Sequence, residues 1–339
     1  MAEAPEFYDL VPATPRNPRT GEGAMAPLQD GRLFFAYTHF VGSDDFDHAS
    51  IVSRYSSDVG RTWTEPQTLI ANEAKDNVMS ASLLRLQCGA ILLFYMRKDS
   101  RTRGAMWVRR SDDEAQTWSD AVCCTLAPLY QGAVNDCAVQ LNNGRVILPY
   151  EGCEESWVAD EHIVAAAAYS DDEGATWRQS NTIFSPKRGA MEPRVVELRD
   201  GRLRMLMRTD RGVIDEAYSH DNGETWSDPA STGIESPQSP FVLKRIPSTG
   251  DLLLIRNPIA KLDQGHQGYR TPLRSAISQD DGKTWINQKD IEADTNHAYS
   301  YVSTTFTEET AVLSYYVDAP GGPLESLRIA RVPVAWLCQ

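Results

Sequence analysis

The chain has 339 residues, 41% of them hydrophobic and 24% charged, with a formal net charge of −14. Such acidity excludes a nucleic-acid partner, whose phosphates demand a basic face, and no apolar run approaches the roughly 18 residues needed to span a bilayer. An anionic ligand would have to be met by locally clustered arginines acting against the global field.

The opening residues, MAEAPEFYDL, place acids and a proline where a signal peptide carries basic and then apolar residues, so a cytoplasmic location is expected. The six cysteines (Cys88, Cys123, Cys124, Cys137, Cys153, Cys338) lack metal-ligand spacing with histidine and are expected as free thiols. Neither a metal nor a cofactor is expected, and the sequence leaves the oligomeric state open.

An octet recurs along the chain: SSDVGRTW ending at Trp63, SDDEAQTW at Trp118, SDDEGATW at Trp177, SHDNGETW at Trp226 and SQDDGKTW at Trp285. A period of this size marks one supersecondary unit used repeatedly. Ahead of the octets lie the turns QDGR before Leu33, QCGA before Ile91, NNGR before Val146, RDGR before Leu203 and STGD before Leu252. Between turn and octet run short β-branched and aromatic segments at hairpin spacing, so each unit is predicted as a four-stranded meander. No segment holds a helical period, and the fold class is all-β, one domain over residues 1–339.

Within the octet the chemistry is structural. Asp58, Asp113, Asp172, Asp221 and Asp280 are placed to accept hydrogen bonds from their own turn, the glycine two residues on permits positive φ, and the tryptophan offers a large ring to bury between sheets. Ala115 replaces glycine in the second octet.

This repeated S-x-D-x-G-x-T-W resembles the Asp-box, or bacterial neuraminidase repeat, of the sialidase superfamily. The resemblance spans about residues 21–332 and implies a six-bladed β-propeller with the boxes at the turns between third and fourth strands. The sixth unit, Tyr299 to Pro333, has no box. The N-terminal segment, about residues 5–12, is expected to supply the missing outer strand and close the ring.

Strand alternation then puts the site on the face opposite the boxes. First-strand starts contribute Glu22, Ser80, Asn135 with Asp136, Glu192, the stretch near Ser239, and Tyr301. Second-strand ends contribute Thr38 with His39, Arg97, Tyr150 with Glu151, Arg208, Arg256 and Tyr315. By resemblance, Glu192 is the base that activates the nucleophile Tyr301, with Tyr299 as the alternative on the same strand. Arg208 and Arg270 bind the sugar carboxylate, for which a planar guanidinium is the right donor. The general acid is expected in GSDDFDHAS, at Asp47 in preference to Asp45. Arg97, Arg256, Glu22, Asn135 and Asp136 are further substrate-binding candidates.

One departure from the superfamily stands out. Glu22, in RTGEGAMAPL, occupies the offset where a sialidase shows an arginine in an Arg-Ile-Pro context, leaving Arg16 or Arg19 to swing in, or Arg97 and Arg256 to build another anion site. The expected function is an exo-glycosidase that cleaves a terminal acidic sugar from a carbohydrate substrate with retention. The alternatives are a hydrolase or lyase acting on a uronate or deoxysugar, and a non-catalytic glycan-binding propeller.

Overall fold

The computed structural model describes residues 3–261, 269–318, 322 and 324–339, and nearly all of its regular structure is antiparallel strand. The first meander comprises Arg19–Pro27, Leu33–Phe40, Ala49–Ser56 and Gln67–Ile70. The second comprises Asn77–Arg85, Ile91–Ser100, Arg103–Ser111 and Val122–Cys123. In the third the inner strand is interrupted: Tyr130–Gly132 and Val139–Gln140 both pair with Val146–Cys153, followed by Val164–Ser170 and Arg178–Gln179. The fourth and fifth are separate four-stranded sheets, Met191–Glu197 to Ala230–Glu235 and Val242–Arg245 to Ile286–Glu292. The last contains Ala298–Phe306, Thr310–Asp318 and Glu325–Pro333, and the N-terminal strand Glu6–Val11 pairs antiparallel with Glu325–Pro333. Single parallel bridges join the last meander to the first at Arg19↔Glu325 and the second to the third at Tyr130↔Gly104.

Turn chemistry sets the hairpins. Gly201 takes φ of 85° after Asp200, whose carboxylate accepts the Arg202 amide at 3.1 Å, and Leu203–Arg208 follows with every residue buried. Burial of both faces is what a strand sandwiched between neighbouring sheets requires, and it explains why LRMLMR does not alternate.

The octets behave alike. In the third, the Thr176 amide and hydroxyl donate to Asp172 at 2.8 and 2.6 Å while the Gly174 amide donates to Ser170 Oγ at 2.8 Å. The Trp177 ring then meets Phe94 of the second meander edge-on, 5.7 Å between centroids. Trp177 and Trp226 are buried, whereas Trp63, Trp118 and Trp285 are half-buried. The Thr117 hydroxyl and amide hold the Asp113 carboxyl down to about 2, so it stays ionised at neutral pH.

The inner strands share a distortion that positions the site. Glu22, Ser80, Asp136, Glu192 and Tyr301 have φ of 48°, 58°, 55°, 43° and 54°, in the left-handed region. Four of them coincide with register shifts, between Gly21 and Ala24, Met79 and Ser82, Met191 and Arg194, and Ser300 and Ser303. Each bulge re-aims one side chain out of the pleat. Apart from Asp136, an aspartate that tolerates this region, these residues each carry about 1–3 kcal/mol of backbone strain that the surrounding sheets must offset.

Candidate active site

Tyr301 and Glu192 meet across the inner ends of the last and fourth meanders: the Tyr301 hydroxyl donates to Glu192 Oε1 at 2.9 Å. Glu192 Oε2 pairs with Arg208 Nη1 at 2.7 Å, and Arg208 Nη2 donates to the Gln238 carbonyl at 3.0 Å. Arg270 stands with its Cζ 5.6 Å from the Tyr301 ring centroid and donates from Nη1 to Ser300 Oγ at 3.0 Å. Its Nε is buried without a hydrogen-bond partner among the described residues. Tyr316 closes the other side of the Tyr301 ring, edge-on at 5.8 Å.

Burial, and next the charge of Glu192, push the Tyr301 hydroxyl well above its ordinary pKa, with Arg208 and Arg270 pulling the other way. At rest Tyr301 is therefore a neutral phenol held on a base, and it becomes a strong nucleophile only as that base takes the proton. Tyr299 is fully buried in the core, with its hydroxyl 3.4 Å from the Asp294 carbonyl, so the bulge separates the two tyrosines and leaves Tyr301 alone on Glu192.

The cleft around this pair has two lobes. One is lined by residues including Glu22, Lys98, Glu151, Glu192 and Arg208, the other by residues including Arg19, Phe46, Arg101 and Arg270. Asp45, Trp157 and Tyr301 line both and so mark where the lobes join. None of the five octet aspartates lines either lobe.

Of Arg16 and Arg19, it is Arg19 that lines the cleft, in the lobe that also holds Arg270, but it is saturated. Its guanidinium pairs with Glu22 and Glu325, both at 2.7 Å, and with Asp45, and Nε also donates to Tyr316 Oη at 3.0 Å. Glu22 in turn accepts the Ser80 hydroxyl at 2.5 Å, which ties the first meander to the second.

Of the two candidate acids, the structure brings Asp45 into the cleft and not Asp47. The Asp47 carboxylate turns back on its own loop, accepting the Asp44 amide at 2.9 Å and packing so close to Gly42 that a Cβ there would overlap it. The loop is pinned from the second meander by Lys98 and Asn77, which donate to the Asp45 carbonyl at 2.9 and 2.8 Å.

Arg97 and Arg256 also lie away from the cleft. Arg97 covers Trp107 at 4.2 Å and pairs with Glu73 at 3.6 Å, while its neighbour Lys98, 1% exposed, points inward. Successive strand side chains face opposite ways, so an offset one residue out selects the wrong basic residue. Arg256 donates to the Glu235 carbonyl at 2.7 Å, and burial pushes its pKa down to about 10. Asn257, the next residue, is the one turned inward, bonded to Ser239.

Asn135 and Asp136 likewise do not line either lobe of the cleft. Asn135 Nδ2 donates to the Gly23 and Tyr301 carbonyls at 2.8 and 3.2 Å. Asp136 receives Lys244 Nζ at 2.7 Å and the Thr304 amide at 2.8 Å, its amide donates to the Ala81 carbonyl at 3.1 Å, and its carbonyl accepts from Arg194. Two adjacent residues of the third meander thus contact each of the other five; they form a hub under the site.

Glu151, the second-strand end of the third meander, accepts the Glu192 amide at 2.8 Å. Burial, then repulsion from Glu192, raises its carboxyl to about 7, and burial raises Glu22 to about 7. Both carboxyls bind their proton more tightly folded than unfolded, where 4.5 is the ordinary value, so this stability is complete below about pH 4.5 and lost as pH rises through about 7. The melting temperature is accordingly expected to fall by about 2–5 °C between pH 5 and 8. Glu151→Gln should flatten that slope in a thermal scan; a slope unchanged in both Glu151→Gln and Glu22→Gln would contradict the assignment. Among the described residues no group of three or more His, Cys, Asp or Glu side chains is placed to hold a metal.

The BNR repeat-like domain family matches residues 31–313 of the chain. Among curated relatives, the sialidase of Paraclostridium sordellii is 26% identical over 239 residues, covering 60% of this chain and 56% of the relative. The sialidase of Micromonospora viridifaciens is 25% identical over 355 residues, covering 93% of this chain and 51% of the relative. This chain therefore spans about half the length of the curated relatives it matches. Among solved structures, the leech intramolecular trans-sialidase complexed with 2,7-anhydro-Neu5Ac superposes with a TM-score of 0.76 at 16% identity, over 96% of this chain and 69% of that one. With the family match covering most of its length, the chain belongs to the BNR repeat-like family of the sialidase superfamily.

Proposed function

We propose that the chain is an exo-acting glycoside hydrolase that removes a terminal acidic sugar with retention, built on a six-bladed β-propeller whose blades are the meanders above. The observation that carries the reading is the chain of contacts Tyr301–Glu192–Arg208 with Arg270 over the tyrosine ring. Binding alone has no use for a buried phenol held on a carboxylate.

In the proposed reaction Tyr301 Oη attacks the anomeric carbon as its proton passes to Glu192. The glycosidic C–O bond breaks, and the leaving oxygen takes a proton from Asp45. A water, deprotonated by Asp45, then displaces the phenol oxygen, which recovers its proton from Glu192. A neutral phenol suits an anomeric carbon bearing a carboxylate, which would repel an anionic nucleophile. Arg270, with unmet donor capacity, and Arg208 take the sugar carboxylate.

A second reading, a hydrolase or lyase acting on a uronate or deoxysugar, is favoured by one feature. The Arg19 guanidinium is already engaged by the Glu22, Asp45 and Glu325 carboxyl groups, which leaves it no free donor face for an anion. A panel of 4-methylumbelliferyl glycosides separates the two. Release from the sialoside, abolished in Arg270→Ala chiefly through KM, supports the first; turnover of a uronide or rhamnoside with the sialoside inert supports the second. Binding on a glycan array without turnover of any glycoside would contradict both.

A further inference from the structure

The hub beneath the site holds more positive charge than negative. Arg194, in the inner strand Met191–Glu197, is 2% exposed, and its Nη1 donates to the Asp136 carbonyl. Its other two nitrogens, Nε and Nη2, are buried without a hydrogen-bond partner among the described residues. These two atoms share one edge of the planar guanidinium, so their hydrogens converge on a single acceptor. The Thr304 hydroxyl, on the residue whose amide donates to the Asp136 carboxylate, is buried and unpartnered as well. Neither lobe of the cleft is lined by Arg194, so this edge lies outside the space where a sugar would sit.

An arginine keeps its proton in a protein, and its charge has to be met. Three acidic groups act on Arg194, namely Cys137, Asp136 and Glu192. Burial pushes the Cys137 thiol up to about 12, which leaves it neutral. Glu192 is committed to Arg208 at 2.7 Å, and the Asp136 carboxylate to Lys244 Nζ at 2.7 Å. Arg194 and Lys244, two cations, therefore share one buried carboxylate, and it is the carbonyl of Asp136 that reaches Arg194. A buried cation is retained only where an anion or a full set of acceptors meets it.

We infer that the Nε–Nη2 edge of Arg194 binds a small monovalent anion of the halide class. Two convergent donors suit a single-atom anion, whereas a carboxylate or phosphate brings more acceptor sites than this buried edge has donors. Asn135 Oδ1, on the residue before Asp136, is an orphaned acceptor and would favour water; the surplus cation decides for the anion. The Lys244 side chain, 25% exposed against 3% for Asp136, gives the cluster its contact with solvent. The site is independent of the glycosidase reading.

Thermal melting of the full chain in potassium chloride against potassium gluconate, at equal ionic strength, reads the site in solution. Chloride is expected to raise the melting temperature saturably by about 2 °C or more, and bromide to do the same. Arg194→Met removes the cation together with its need for an anion, so its melting temperature should be equal in the two salts. Crystals grown in sodium bromide and measured at the bromine edge locate the ion, with an anomalous peak expected within hydrogen-bond reach of Arg194 Nε and Nη2. Equal melting of the wild type in chloride and gluconate overturns the site, as does a chloride effect that persists in Arg194→Met. Water alone at that edge in the bromide crystals overturns it too, and this map decides by itself if Arg194→Met does not fold.

Discussion

Replacing Tyr301 by phenylalanine is expected to lower kcat/KM by about 10³-fold or more while leaving the fold intact. The substitution removes one oxygen from a ring already held by Tyr316 and Arg270, and Glu192 keeps its partner Arg208. What is lost, in the proposed reaction, is the atom that attacks the anomeric carbon and the proton that Glu192 receives. Glu192→Gln keeps the shape but cannot accept that proton, so a loss of about 10²–10³-fold is expected, with KM little changed. Assay of a methylumbelliferyl sialoside with matched circular dichroism spectra checks both. Activity of Tyr301→Phe within tenfold of wild type would remove the phenol from the chemistry.

The second large effect is on stability. Asp136→Ala is expected to destabilise the protein by about 3–5 kcal/mol, because it strips the buried partner from Lys244 and orphans the Thr304 amide. Its side chain is only 3% exposed, so water cannot replace those bonds without opening the centre of the molecule. Asp136→Asn, which keeps an acceptor for the amide, should lose roughly half as much. Since Asn135 next to it bonds the Tyr301 carbonyl, activity should fall with the hub even though neither residue lines the cleft. Urea midpoints measure the effect. A shift equivalent to under about 1 kcal/mol would mean that the inner strands are held by packing alone.

The octets made the meanders legible because their turn chemistry is local: serine, aspartate, threonine and glycine satisfy one another within eight residues. Counting from them led to Glu22, Ser80, Asp136, Glu192 and Tyr301, which share one left-handed bulge conformation. The bulge itself was not legible, since of these residue types only aspartate is enriched in that conformation; long-range contacts impose it. Where the count ran one residue out, alternation turned the error into the wrong face, as with Arg97 for Lys98 and Arg256 for Asn257. Asp45 and Asp47 are separated only by how their loop folds back under Lys98 and Asn77, a contact from the next meander that no local pattern encodes. Arg19 was legible only as an alternative, because its three carboxylate partners come from positions 22, 45 and 325.

A tyrosine nucleophile implies two displacements at the anomeric carbon. Proton NMR of the first-formed sugar, followed before mutarotation, tests this most directly. The proposed role of Tyr301 predicts that the product appears first as the anomer of the substrate; first appearance of the opposite anomer would contradict it.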